Sequence, residues 1–158
     1  MNLTEICRQL ILRLKITGMM LSTAESCTGG WISKLITDVA GSSQVFVGGI
    51  VSYSNEMKQA LLQVKPETLA KYGAVSEGVV SQMLSGICQQ TGSQVAIAVS
   101  GIAGPSGGTP GRPVGTVFIG WQIGEQQIVR QFRFDGDRNA VRRQTAEMAL
   151  SFLLEKLT

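Results

Sequence analysis

Two polar residues of this chain stand where polar residues can do chemistry. Ser26 lies in a turn of small residues, Glu25-Ser26-Cys27-Thr28-Gly29-Gly30, which follows a short apolar run and opens a helical pattern. A helix N-terminus presents unpaired N–H groups and the positive end of the macrodipole, and both favour an anion. Ser26 in that place can be a helix cap, a phosphate ligand, or a nucleophile whose oxyanion is held by neighbouring N–H groups. Lys58 closes the stretch Tyr53-Ser54-Asn55-Glu56-Met57-Lys58, about one turn into a following helix. A helical lysine is ordinarily a solvated charge, and it becomes a general base only if burial lowers its pKa. The chain has no histidine at all, which removes Ser-His-Asp and Cys-His catalysis and His-bound zinc. Among the residue types that remain, a desolvated lysine is the best activator of a serine at neutral pH.

Other groups compete for attention. Cys27 is a rival nucleophile, because a helix N-terminus lowers a thiol pKa; adjacent side chains diverge, so one of Ser26 and Cys27 faces a substrate. The stretch from Ser100 to Gly115 is rich in Gly, Pro and Ser. It matches neither a Walker loop nor a dinucleotide fingerprint, and is either a surface loop or the wall of a site at a strand's carboxyl end. Arg130, Arg133, Arg138, Arg142 and Arg143 crowd the C-terminal region. Most of such a run is a solvated face, but a guanidinium also binds phosphate through two parallel hydrogen bonds. Cys7 and Cys88 fall on the apolar stripes of helices and read as core, and Trp31 reads as packing beside the turn.

These groups need elements to carry them. Leu3, Ile6, Cys7, Leu10, Ile11 and Leu14 repeat at three and four, so residues 3 to 17 form a helix ended by Gly18. Met19 to Ala24 is a first strand, Trp31 to Val39 a second helix, and Val45 to Tyr53 a second strand. Helices follow over Asn55 to Leu62, over Pro66 to Tyr72 with proline at its first position, and over Glu77 to about Gln90 with Ser76 as cap. Gln94 to Ser100 is a buried strand by composition. Val114 to Gln122 and Gln127 to Phe134 flank Gly124-Glu125 as an antiparallel hairpin, and Asp137 caps a long terminal helix. The expected fold is α/β: a single three-layer α/β/α domain over residues 1 to 158, with a mixed, mainly parallel sheet and a C-terminal β-hairpin followed by a long helix.

Composition narrows the classes. Apolar residues make up 44% of the 158 and charged residues 16%, enough for a substantial core and against disorder. A net charge of +3 does not mark a nucleic-acid or membrane-surface protein. Three cysteines without framework spacing suggest reduced thiols in the cytoplasm. The charged N-terminal stretch with Glu5, Arg8, Arg13 and Lys15 is no signal peptide, and no apolar run approaches the ~20 residues that span a bilayer.

Read together, the stretches resemble the CinA C-terminal domain family in its stand-alone form, the nicotinamide-nucleotide amidohydrolases. The resemblance covers about Leu21 to Leu150. It rests on Thr-Ala-Glu-Ser-Cys-Thr-Gly-Gly at 23 to 30, Gly-Ser-Ser at 41 to 43 and Tyr-Ser-Asn-x-x-Lys at 53 to 58. Gly-Ala-Val-Ser at 73 to 76, Ser-Gly-Ile-Ala-Gly-Pro at 100 to 105, Pro-Val-Gly at 113 to 115 and Gly-Asp-Arg at 136 to 138 follow in order. The resemblance implies hydrolysis of the carboxamide of nicotinamide mononucleotide to nicotinate mononucleotide and ammonia, without metal or cofactor. It implies Ser26 as nucleophile, Lys58 as base and Tyr53 as a hydrogen-bonding assistant in the same cluster. Thr28, Gly29 and Gly30 are expected to supply oxyanion donors. Ser42, Asn55, Gly101 and Gly104 are expected to line the substrate, with Arg142 or Arg143 holding its phosphate. Gln63, where the family commonly has glycine, and Arg112, where lysine is frequent, depart from the pattern. A small-molecule nucleotide is the expected partner, with no nucleic acid and no membrane, and a symmetric homodimer is the default assembly. The competing readings are a nucleotide-binding paralogue without turnover, an amidase acting through Cys27, and a nucleic-acid protein.

Overall fold

The computed structural model describes residues Met1–Thr158. Five strands form one sheet: β1 (Leu21–Glu25), β2 (Phe46–Val51), β3 (Val95–Gly101), β4 (Thr116–Ile123) and β5 (Gln126–Arg133), in the order β2-β1-β3-β4-β5. β1 is parallel to both β2 and β3, whereas β3–β4 and β4–β5 are antiparallel. Four strands therefore point one way and β4 alone points back, which is the mixed, mainly parallel sheet expected. No helix is long and apolar enough to cross a membrane.

Side-chain alternation along β3 decides what packs on each face. Val95, Ile97 and Val99 join a core with Leu10 and Leu14 of α1 (Leu3–Thr17), Ile32 and Ile36 of α2 (Trp31–Thr37), and Val141, Leu150 and Leu153 of α6 (Arg138–Leu157). Ala96 and Ala98 join the other core with Leu62 of α3 (Asn55–Leu62) and Val80, Met83, Leu84 and Ile87 of α5 (Glu77–Thr91). The short α4 (Pro66–Tyr72) leans on α5. Each fully buried aliphatic side chain contributes on the order of 2 kcal/mol. The small residues on the α5 face are a packing requirement. A Cβ on Gly120 would lie 2.7 Å from Val80 Cγ1, and one on Gly86 would lie 1.9 Å from the Leu62 carbonyl oxygen. On the opposite face the fully buried Trp121 fills the gap under α6, its ring tilted 35° against Phe152 at 4.1 Å and its Nε1–H donated to the Ala149 carbonyl at 2.9 Å.

The helix ends follow local chemistry. Asn2, Ser54, Ser76 and Asp137 cap α1, α3, α5 and α6 through side-chain oxygens that accept backbone N–H bonds. Gly18 ends α1 in the left-handed region at φ 69°. α3 ends differently, on Gln63 at φ 60°, the one non-glycine residue with positive φ. That conformation explains why a glycine is expected at this position.

Three neighbouring parallel strands share one carboxyl rim. The turn after β1, the Ser52–Lys58 segment after β2 and the Ile102–Gly107 loop after β3 therefore leave the sheet side by side. β5 points the same way, so the start of α6 is delivered to that rim as well. A crevice beyond the strand carboxyl ends is where open α/β sheets bind ligands.

Candidate active site

Ser26 and Lys58, 32 residues apart in the chain, meet at the rim: Lys58 Nζ lies 3.0 Å from Ser26 Oγ. Both are buried, Lys58 to 1% exposure and Ser26 to 7%. Lys58 reaches this place because Ser54 caps α3 and starts it close to the rim, so that a side chain one turn later points back over the cap. Its Nζ also donates to the carbonyls of Ser52 at 2.8 Å and Tyr53 at 3.2 Å, and no carboxylate pairs with it. Burial without a counter-ion pushes the Lys58 pKa down from the usual lysine value.

The turn that carries Ser26 is anchored from inside by Glu25, which is 1% exposed. One carboxylate oxygen accepts from Thr28 Oγ1 at 2.6 Å and Ile32 N–H at 3.0 Å; the other accepts from Ser33 N–H at 3.0 Å and Ser33 Oγ at 2.7 Å. The carboxylate thus does the capping of α2, whose own N-cap, Gly30, has no side chain to do it. Ser33 gives its only hydroxyl proton to Glu25, so Thr23 Oγ1, 2.7 Å away, donates to Ser33. Gly49 on β2 leaves room for this network, since a Cβ there would lie 2.2 Å from Thr23 Oγ1.

A cleft of about 270 Å³ opens onto the Ser26–Lys58 pair, just below the usual range for small-molecule sites. Tyr53, Asn55, Gly101 and Gly104 line it, together with Cys27 and the buried Ser100. The Tyr53 hydroxyl does not touch Ser26 or Lys58. It accepts from Arg138 at 3.0 Å, and the Tyr53 contribution to Lys58 is its carbonyl. Cys27 is 5% exposed and burial pushes its thiol up to about 12, which suppresses the thiolate that a nucleophile needs.

Six expected contributors stand elsewhere. Thr28, Gly29 and Gly30 line a separate shallow hollow with Trp31, Lys34 and Arg142. The Gly29 N–H is taken by the Ser26 carbonyl at 3.0 Å, and Thr28 is fully buried beneath the turn. Ser42 is buried in the short turn Ser42–Gln44 before β2 and does not line the cleft. Arg142 donates to the carbonyls of Cys27 at 2.9 Å and Thr28 at 3.1 Å, with its guanidinium 5.6 Å above the Trp31 ring. Arg143 is exposed and lies 3.8 Å from Glu147 on its own helix. The cation that does line the cleft is Arg138, which donates to the Gly104 carbonyl at 2.8 Å. Arg138 closes the Gly-Asp-Arg motif at 136 to 138, a signal that sets it apart from Arg142, which lies in none of the matched motifs.

The family model described as CinA C-terminal domain matches residues 3–157. The chain belongs to the CinA C-terminal domain family. Within that family it is 46% identical over 156 residues to the nicotinamide-nucleotide amidohydrolase PncC of Escherichia coli K12, covering 98% of this chain and 94% of that protein. It is 51% identical over 144 residues to a CinA-like protein of Thermotoga neapolitana, covering 91% of this chain but only 35% of that longer protein. The chain thus spans about a third of the length of the CinA-like relatives it matches. Solved CinA superfamily structures share the fold. One from Klebsiella pneumoniae superposes with a TM-score of 0.95 at 41% identity, covering 99% of this chain and 98% of that one. One from Enterobacter asburiae reaches 0.97 at 35% identity, covering 100% and 99%.

Proposed function

We propose that this chain hydrolyses the carboxamide of nicotinamide mononucleotide, releasing ammonia and nicotinate mononucleotide, through a Ser26–Lys58 pair. The observation that carries the proposal is a buried, unpaired amine 3.0 Å from a buried serine hydroxyl at a strand rim, in a chain without histidine. The name of the Escherichia coli relative supports the substrate. A pocket that only bound a nucleotide would need neither a desolvated amine nor a hydroxyl held against it.

Hydrogen-bond arithmetic at Nζ fits a proton acceptor. A neutral amine has two N–H groups and one lone pair. The carbonyls of Ser52 and Tyr53 take the two N–H groups and leave the lone pair for the Ser26 proton. After transfer, the ammonium has three N–H groups and the same three oxygens to receive them. Ser26 Oγ attacks the carboxamide carbon as its proton passes to Lys58. The C–N bond then breaks as Lys58 returns that proton to the leaving nitrogen, and ammonia departs. Water next attacks the acyl-enzyme, giving a proton to Lys58; the bond to Ser26 Oγ breaks, and Lys58 re-protonates the serine. The oxyanion donor is the N–H of Cys27, which has no backbone acceptor and belongs to a residue lining the cleft. Peptide planarity directs it opposite to the Ser26 carbonyl, and one such donor contributes roughly 3 kcal/mol.

Arg138 is the phosphate ligand in this reading, since it lines the cleft and keeps N–H groups beyond its bonds to Gly104 and Tyr53. Residues 1 to 158 act as one catalytic domain, and the free thiols of Cys7, Cys27 and Cys88 support work in a reducing compartment such as the cytoplasm. Ammonia release from nicotinamide mononucleotide, nicotinamide riboside and free nicotinamide tests the proposal, with Ser26→Ala and Lys58→Ala as controls. The expected result is release from the nucleotide that both substitutions abolish; release that survives Ser26→Ala refutes it.

A further inference from the structure

Arg142 is one of the two arginines expected from the sequence to hold a phosphate, yet its hydrogen bonds point elsewhere. Nε and one terminal nitrogen are committed to two successive carbonyls, those of Cys27 and Thr28, immediately after Ser26. The flat guanidinium lies over Trp31, the first residue of α2. It also presses on the turn from outside, because a Cβ on Gly29 would sit 3.0 Å from its terminal nitrogen. From inside, Glu25 holds the same turn through Thr28, Ile32 and Ser33. The segment between Glu25 and Trp31 is therefore gripped on two sides, by a carboxylate at the end of β1 and a guanidinium from α6, 115 residues away from Cys27 in the chain.

We infer that Arg142 is a positioning residue: by fastening the carbonyls of Cys27 and Thr28 to α6, it holds Ser26 Oγ against Lys58 and the Cys27 N–H toward the cleft. This inference rests on Ser26 being the nucleophile. The fork geometry matters, because Arg142 meets the two carbonyls from two different nitrogens of one rigid plane, whereas a lysine there would have to reach both from a single nitrogen on a freely rotating stem. A misplacement of the order of 1 Å at the reacting atoms costs about 100-fold in rate. A phosphate ligand would behave differently, acting on KM and only toward substrates that carry the phosphate.

The test uses the full chain with Arg142→Met and Arg142→Lys. Two readouts are taken: ammonia release from nicotinamide mononucleotide and nicotinamide riboside, and the rate at which a fluorophosphonate probe labels Ser26. The expected result is a kcat about 100-fold lower on both substrates, with KM within a few-fold of wild type and labelling slowed in parallel. Arg142→Lys keeps the charge and the stem over Trp31 but is expected not to restore the rate, and it decides the matter if Arg142→Met fails to fold. A loss confined to KM for the nucleotide, with riboside turnover and labelling unchanged, overturns the inference in favour of anion binding. Full kcat and full labelling in both variants also overturn it. If wild-type protein labels at Ser26 but releases no ammonia, the deamidase reading fails, and the labelling rates of the variants still decide the role of Arg142. If wild-type Ser26 does not label, both fall.

Discussion

Replacing Lys58 by methionine removes the amine while keeping the unbranched stem, so the cavity at the rim stays filled. General-base assistance is worth roughly 10²- to 10⁴-fold, or about 2.7 to 5.4 kcal/mol at 1.36 kcal/mol per decade. Lys58→Met should therefore lower kcat/KM for ammonia release by at least about 100-fold. Lys58→Arg should lower it as much, because a guanidinium stays protonated at any working pH. The wild-type profile carries a second signature. Burial lowers the Lys58 pKa below the usual 10.5, so activity should fall as the pH drops through that lowered value and the amine takes up a proton. Stability is linked with a definite sign. Between the lowered native pKa and 10.5 the unfolded chain holds a proton that the native chain has released, so wild-type stability rises with pH across that window. Lys58→Met should lack both the acid limb of the rate profile and this rise in a urea-melt series. An acid limb that persists in Lys58→Met, or activity within a few-fold of wild type, would refute the assignment of Lys58 as the base.

Glu25→Gln places an amide N–H₂ against either the Ser33 or the Ile32 and Thr28 donors, leaving a buried donor pair unmet at a cost of about 1–3 kcal/mol; a melting temperature several degrees below wild type is expected, and an unchanged one counts against the network. Gln63→Gly relieves the left-handed end of α3 and should stabilise by about 1 kcal/mol, read as a rise of roughly 2–4 °C in calorimetry. Cys27→Ala keeps the backbone N–H and removes a thiol that is held protonated, so turnover should stay within a few-fold of wild type; loss on the scale of Ser26→Ala would restore the thiol as nucleophile.

Features whose hydrogen bonds close within three or four residues were legible from the chain alone. The caps at Ser76 and Asp137, the stop at Gly18, the proline at the start of α4 and the hairpin around Gly124 all stand where local pattern puts them. The expectation of a sheet covered by helices on both faces holds as well, since one core packs on each side of β3. The absence of histidine was equally a property of the sequence, and it made a lysine the best candidate for a base before any geometry was known.

Burial and neighbourhood belonged to the tertiary structure. Periodicity marks a strand but does not say which strands are neighbours, and the order β2-β1-β3 is what brings Ser26, Lys58 and the Ile102–Gly107 loop to one rim. Arg138 and Arg142 sit one turn apart on the same face of α6, so helical spacing treats them alike. They part ways because the cleft and Gly104 lie opposite the first and the carbonyls after Ser26 lie opposite the second. Glu25 carries no local sign of its four hydrogen bonds, since its partners reach it only when α2 folds back over the end of β1. Side-chain chemistry is written in the sequence, but the energy of a charge or a hydrogen bond depends on how much water surrounds it, and only the packed chain sets that.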